Sequence, residues 1–165
     1  MIKRETFINE GKLAKFIQGD GNHIINLQEE YFEYCNGYFL INCNYDLDLI
    51  IQKLFKIGAI SNYKNWTPKK TRDFNDITHC EKEIEAIKTP YLKLGSSGLI
   101  VNIFKIGDKF VSYRKDYIDI FKNVEYKVAD DGVLPNLRAY GNGEFIGLIL
   151  PTRDQHDLLI EIIGS

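Results

Sequence analysis

The stretch Tyr63-Lys64-Asn65-Trp66-Thr67-Pro68-Lys69-Lys70-Thr71-Arg72 sets four cations among two aromatic rings and follows neither a helical nor a strand period. Two chemistries fit that mixture. Ammonium and guanidinium groups can pair with phosphates while the rings stack on bases. Alternatively, tryptophan and arginine anchor on a protein surface, where these residue types concentrate binding energy. Trp66 is the single tryptophan of the chain and its neighbours are polar. Tyr63, Lys64, Trp66, Lys69, Lys70 and Arg72 are therefore the first candidates for partner binding. The plainer alternative is a solvated loop with Trp66 folded onto the body.

The other reactive side chains form no recognised pattern. Cys35, Cys43 and Cys80 are an odd set without close spacing, and His79-Cys80 belongs to no C-x₂-C or H-x₃-H pair. Reduced, structural thiols are expected rather than zinc ligands. Gly95-Ser96-Ser97-Gly98 is not a G-x-S-x-G elbow and reads as a turn. Neither a phosphate-binding P-loop nor a G-x-G-x-x-G fingerprint is present. Asp116, Asp119, Asp130 and Asp131 read as turn and helix-surface carboxylates. Glu29, Glu30 and Glu33 with Tyr31, Phe32 and Tyr34 form an acidic-aromatic patch. That patch could imitate phosphates, although core aromatics with glutamates on the wet face are the commoner arrangement. No catalytic residue, metal ligand or cofactor is expected on these grounds. An enzyme would need a site gathered from scattered carboxylates with His79 or His156.

The elements that must carry these residues follow from period and punctuation. Residues 6–8 could open a strand. Asn9 can cap a helix reaching 16 or 17, with Leu13, Phe16 and Ile17 on one face. Strands are predicted at 24–27 and 38–43, separated by 28–37 with its Asn36-Gly37 turn dipeptide. Leu47, Ile50, Ile51, Leu54 and Phe55 keep the spacing of a buried helix face. A loop follows at 61–73. A further helix is predicted over 74–88, because Phe74, Ile77, Cys80, Ile84 and Ile87 share a stripe and Thr89-Pro90 would end it. Short strands then follow at 99–106, 109–113, 125–129, 135–140 and 144–150, with a short helix over 115–121. Gly107-Asp108, Asp131-Gly132 and Gly141-Asn142-Gly143 supply the turns. Thr152 with Gln155 three residues on makes a capping box for a tail helix within 152–165.

A chain of 165 residues suits one domain spanning 1–165, and 44% hydrophobic content suffices for a core. The net charge of −2 disfavours coating of nucleic acid by the whole surface. No apolar run is long enough to cross a bilayer, and the first residues lack a secretory pattern. A cytoplasmic protein is expected. Isoleucine, asparagine, lysine and tyrosine are abundant, as AT-rich coding in low-GC bacteria and their phages produces.

The helix, strands, hairpin and closing Leu150-Pro151-Thr152-Arg153 of 111–153 resemble the C-terminal part of a bacterial DNA polymerase sliding-clamp domain. The matching residues are Tyr117, Asp119, Phe121, Pro135, Gly147, Leu150, Pro151 and Arg153. The resemblance implies a clamp-like antiparallel sheet, with DNA as a partner if several copies close a ring. Beyond it, Gln155-His156-Asp157-Leu158-Leu159 is similar to the short peptide that polymerases and repair proteins insert into a clamp. Gln155, Leu158 and Leu159 would enter the pocket. An ordinary tail helix packing on its own core is the alternative.

The sequence thus predicts an α+β fold: a mainly antiparallel sheet in the C-terminal half with two to three packing helices. The functional expectation is a small, non-catalytic binding protein, phage- or mobile-element-encoded and acting in the host cytoplasm. It would occupy the surface of a replication factor or a host-defence enzyme, as an anti-CRISPR-like inhibitor does. The alternatives are a clamp-like DNA-binding ring and an enzyme without recognisable motifs.

Overall fold

The computed structural model describes residues 7–19, 24–27, 32–43, 52, 56, 80–95, 98–130 and 135–152. The fold is α+β and its sheets are antiparallel. Helix α1 (Glu10–Gly19) opens it, followed by β1 (Ile24–Leu27), β2 (Phe32–Cys35) and β3 (Phe39–Cys43). Next come β4 (Glu83–Glu85), β5 (Ile87–Leu94), β6 (Ile100–Ile106), β7 (Lys109–Arg114) and the one-turn helix α2 (Lys115–Ile118). Strands β8 (Glu125–Ala129), β9 (Leu137–Gly141) and β10 (Glu144–Ile149) complete the set. Seven strands form one sheet in the order β1-β2-β3-β10-β9-β8-β4, and β5-β6-β7 form a second.

Local chemistry sets these elements. The Asn9 carbonyl accepts from the amide of Leu13, and its side-chain Oδ1 from that of Lys12 at 3.2 Å. The first of these is the opening bond of the helix ladder, and the second satisfies an amide that a helix start leaves unpaired. Glu10 places a carboxylate in the first turn, where the helix dipole favours it. Leu13, Ala14 and Ile17 supply the buried face. Between β2 and β3, Asn36 Oδ1 accepts from the amides of Tyr38 and Phe39 at 2.9 and 3.0 Å. Gly37 takes a φ of 90° there, open to glycine at little cost. Asn142 and Gly143 both have positive φ, 49° and 78°, as a two-residue turn between β9 and β10 requires.

One core joins the two sheets. Phe104, Ile106, Val111 and Tyr113 of the small sheet meet Ile41, Val128, Leu137, Ala139, Ile146 and Ile149 of the large one. The Phe104 ring packs edge-on against Tyr113 and Tyr126, with centroids 5.3 and 5.2 Å apart. The large sheet also buries residues of its other face. Leu40 and Leu148 face each other there, and Leu148 pairs with the buried Arg138.

Pro151 sits where the chain changes sheets. The Leu150 amide donates to Tyr38 O at 2.9 Å, and the Thr152 amide to Ser112 O of β7 at 3.0 Å. Among the described residues, the one between those two ladders has no partner strand on either side. Proline brings no N–H to that gap, so nothing is left unsatisfied. Thr152 also hydrogen-bonds Ser112 through its hydroxyl.

Two expectations fail. The helix predicted over 74–88 does not form in its second half, because 83–85 and 87–94 are β4 and β5. Residues 74–79 lie outside the described set. Ala86, buried, hydrogen-bonds Tyr126 across the sheet instead, and Ile87 is 53% exposed, so the stripe that suggested a helix is split. Cys80 is half-buried just before β4 and donates its thiol to Lys82 O at 3.2 Å. The segment 28–37 was also expected only to separate strands, yet 32–35 is β2, paired on both sides. Most of the helix predicted at 47–55 lies outside the described residues; of this stretch Gln52, and just beyond it Lys56, are described, and both are helical and exposed.

Candidate interaction surface

Every side chain proposed from sequence for partner binding lies outside the described residues: Tyr63, Lys64, Trp66, Lys69, Lys70, Arg72, Gln155, Leu158 and Leu159. So do the loop at 61–73, the tail beyond Thr152, His79 and His156. The described residues offer two other surfaces.

The first lies between α1 and α2. A cleft of about 300 Å³ is lined by Lys12, Lys15, Phe16, Asp116 and Asp119. The structure thus brings together two carboxylates that sequence left apart. Each is held by cations. Arg114 grips Asp116 with both Nε and Nη2, while Asp119 accepts from Lys115 and pairs with Lys12 at 3.7 Å. Arg114 also lies over the Tyr117 ring, 4.1 Å from its centroid, and donates to its hydroxyl at 2.7 Å. Burial pushes the Tyr117 phenol upward, and the Arg114 guanidinium opposes that rise. The phenol therefore stays protonated and serves as a packed hydrogen-bonding group. Phe16, Phe39 and Tyr117 stack into one aromatic cluster under the cleft. Its residues explain how α1 and α2 are tied together.

The second surface is the hairpin formed by β5 and β6. Antiparallel partners face the same side of a sheet. Leu94 lies opposite Ile100, Leu92 opposite Asn102, and Phe104 opposite Val111. The face that buries Phe104 and Val111 in the core therefore continues outward to Leu92, Leu94 and Ile100. Those three are 53%, 67% and 50% exposed. Tyr91 and Leu99 are exposed beside them. Such a contiguous apolar surface is uncommon on a protein without a partner.

The backbone of β5 is irregular where it leaves the core. Its register with β6 shifts between Lys88 and Leu92. Thr89 donates its hydroxyl to Ile103 O at 2.7 Å, replacing a ladder bond at the shift. Pro90 follows, a residue strands tolerate at edges and bulges. Among the described residues β5 is an edge of its sheet.

The remaining polar groups are structural. Glu33 is buried and accepts from Asn42 Nδ2 at 3.2 Å, so it does not belong to a wet acidic face. Arg138 is buried, 3.6 Å from Glu83, and Tyr140 donates to that carboxylate. Burial pushes the Tyr140 phenol upward, and the bond to Glu83 adds to the rise. Among the described residues no cluster of three or more His, Cys, Asp and Glu side chains is placed to hold a metal ion. No helix among them is long and apolar enough to cross a membrane.

The residues that carry the clamp resemblance take ordinary structural places. Tyr117 and Phe121 are buried, Gly147 packs against Phe121, and the Pro135 carbonyl accepts from Tyr113. Arg153 lies outside the described residues. No family model, curated protein or solved structure matches the chain. The clamp resemblance therefore rests on its sequence motif.

The apolar hairpin had a sequence signal that period-reading passes over. Aliphatic residues run up to the Gly-Ser-Ser-Gly turn on both arms, in Leu92-Lys93-Leu94 and Leu99-Ile100.

Proposed function

We propose that this chain is a small protein-binding protein that acts by occupying a partner's surface through its β5–β6 hairpin. One observation carries the reading: Leu92, Leu94 and Ile100 continue the core face of the small sheet into solvent. Keeping aliphatic side chains in water costs about 25 cal/mol per Å² relative to burying them. A partner that covers the strip recovers that free energy. The partner class to test first is the one the sequence suggests, a protein of DNA replication or nucleic-acid defence.

The test places a photoreactive phenylalanine analogue at position 94, and at the exposed Glu144 as a control. A discrete protein adduct from position 94, lost on Leu92→Asp with Ile100→Asp, is expected. The purified adduct partner must then form a stoichiometric complex with the wild-type chain. Equal adducts from both positions, or adducts indifferent to the substitutions, would remove the hairpin from the binding surface.

A further inference from the structure

The cleft between α1 and α2 has two walls of opposite charge. Lys12, Lys15 and Phe16 stand at i, i+3 and i+4 of α1 and so share one helix face. Asp116 and Asp119 line the other wall, on α2 and just after it. Both carboxylates are matched by cations of their own segment. Arg114 binds the two oxygens of Asp116, and Lys115 donates to Asp119. What α1 adds is therefore surplus positive charge. Lys12 reaches Asp119 only at 3.7 Å, on the oxygen that Lys115 already holds. Lys15 is exposed and has no carboxylate partner among the described residues. Lys12, Lys15, Arg114 and Lys115 thus meet only Asp116 and Asp119, in a chain whose net charge is −2.

Between the cations lies an aromatic ring that is held in place. Phe16 is half-buried, with Phe39 edge-on and Tyr117 tilted against it, each centroid 5.4 Å away. A ring fixed by such contacts has little rotamer freedom left to lose when something covers it. An inorganic ion would meet the lysines and leave that ring in water. A neutral apolar molecule would cover the ring and leave the surplus charge unmatched. The volume of about 300 Å³ is at the lower end for ligand clefts. It suits one ring with a short head, not a nucleotide or a folded partner.

We infer that this cleft binds a small organic anion, one aromatic ring carrying a carboxylate or phosphate. The ring packs on Phe16 in the edge-on or offset geometry that aromatic pairs prefer. The anionic head meets Lys15, and Lys12 can turn to it because Asp119 keeps Lys115 as its partner. The site is separate from the β5–β6 hairpin, and neither reading depends on the other.

Amide NMR spectra of the isotope-labelled full chain test this. The probes are phenylacetate and phenyl phosphate, and the controls are benzyl alcohol, benzylamine and inorganic phosphate. Saturable shifts are expected at the amides of 12–16 and 116–119 with at least one probe, at a Kd of about 1 mM or tighter. Tighter binding of phenylacetate assigns a carboxylate head, and tighter binding of phenyl phosphate a phosphate head. Lys15→Glu should weaken the preferred probe at least about tenfold, Lys15→Gln should weaken it less, and rising salt should weaken it too. Thermal unfolding should be unchanged in both variants, since Lys15 is exposed and has no partner to lose. No saturable shift from either probe below about 10 mM would overturn the inference. Equal shifts from benzyl alcohol or benzylamine, or unchanged binding by folded Lys15→Glu, would overturn it as well. So would inorganic phosphate binding as tightly as phenyl phosphate, because the ring would then contribute nothing.

Discussion

The two sheets use their apolar residues differently. The seven-stranded sheet buries side chains on both faces, and even a guanidinium, Arg138, is enclosed there with Glu83 and Tyr140. The three-stranded sheet also buries residues on both faces, Phe104, Val111 and Tyr113 on one and Val101, Ile103 and Ser112 on the other, yet along the first face Leu92, Leu94 and Ile100 stand in water. The difference follows from where each strand lies in its sheet. Strands at the middle of the large sheet have neighbours on both sides, whereas β5 is, among the described residues, an edge of its sheet. The first pattern makes a scaffold and the second leaves apolar surface for a partner.

The contrast is sharpest within the small sheet. Phe104→Ala should destabilise the protein by about 3–5 kcal/mol, because the ring fills the junction between the sheets against Tyr113 and Tyr126. Urea unfolding measures it, and a loss below about 1 kcal/mol would mean the sheets are not joined through this ring. Arg138→Ala should cost about 3 kcal/mol, since it leaves the Glu83 carboxylate enclosed without its cation. Arg138→Met keeps the volume and removes the charge. A neutral outcome for both variants would show that the large sheet's second face is not the closed layer inferred from burial.

Backbone tests separate the regions next. A Cβ at Gly147 would meet Leu40 O at 2.5 Å and the Phe121 ring at 2.6 Å. A strand carbonyl cannot swing aside, so Gly147→Ala should cost about 2–3 kcal/mol. At Gly98, by contrast, a Cβ would meet nothing within 4 Å, and only its φ of 78° resists substitution. Gly98→Ala should cost about 1 kcal/mol. Equal losses at the two glycines would erase the distinction between packed strand and open tip.

Alkaline pH probes the shared core. Burial pushes the phenols of Tyr113 and Tyr126 well above their ordinary value of 10.0. A raised folded-state value stabilises the protein fully below the unfolded value and less as pH rises beyond it. Stability should therefore be insensitive to these groups up to about pH 10 and fall above it, by about 1 kcal/mol per tyrosine at pH 11. Denaturant midpoints for Tyr126→Phe should fall less steeply over that range. Parallel curves for the variant and the wild type would remove Tyr126 as a source of the decline.

Much of the second half was legible because its turns are chemical. Gly107, Asn142 and Gly143 sit at positive φ where the sequence places turn residues, and the strands between them are found within a residue or two of their predicted bounds. The earlier segments misled for identifiable reasons. Ile84 and Ile87 fit a helical stripe by spacing, while the alternation Glu83-Ile84-Glu85-Ala86 carried the strand signal. Pro90 was read as a helix stop, but a proline at an edge-strand bulge has the same neighbours in sequence. Glu33 read as solvent-facing because its burial depends on Asn42, a contact made across strands. The binding surface was missed for a related reason. Exposure of Leu92 and Leu94 is set by where the other elements stop, which local pattern does not encode.

The smallest expected effect discriminates most. Leu94 is 67% exposed, so Leu94→Asp should change unfolding free energy by less than about 0.5 kcal/mol. Leu92→Asp should behave alike, although Phe104 lies on the same face of the neighbouring strand. Two further readings accompany stability. Binding of a dye sensitive to apolar surface should fall in Leu94→Asp, because the strip is interrupted at its most exposed point. Lys105→Ala, exposed on the opposite face, should leave dye binding unchanged. If Leu94→Asp instead cost more than about 1.5 kcal/mol, the residue would be packed like Phe104. The hairpin would then belong to the scaffold, and the contrast between the sheets would close.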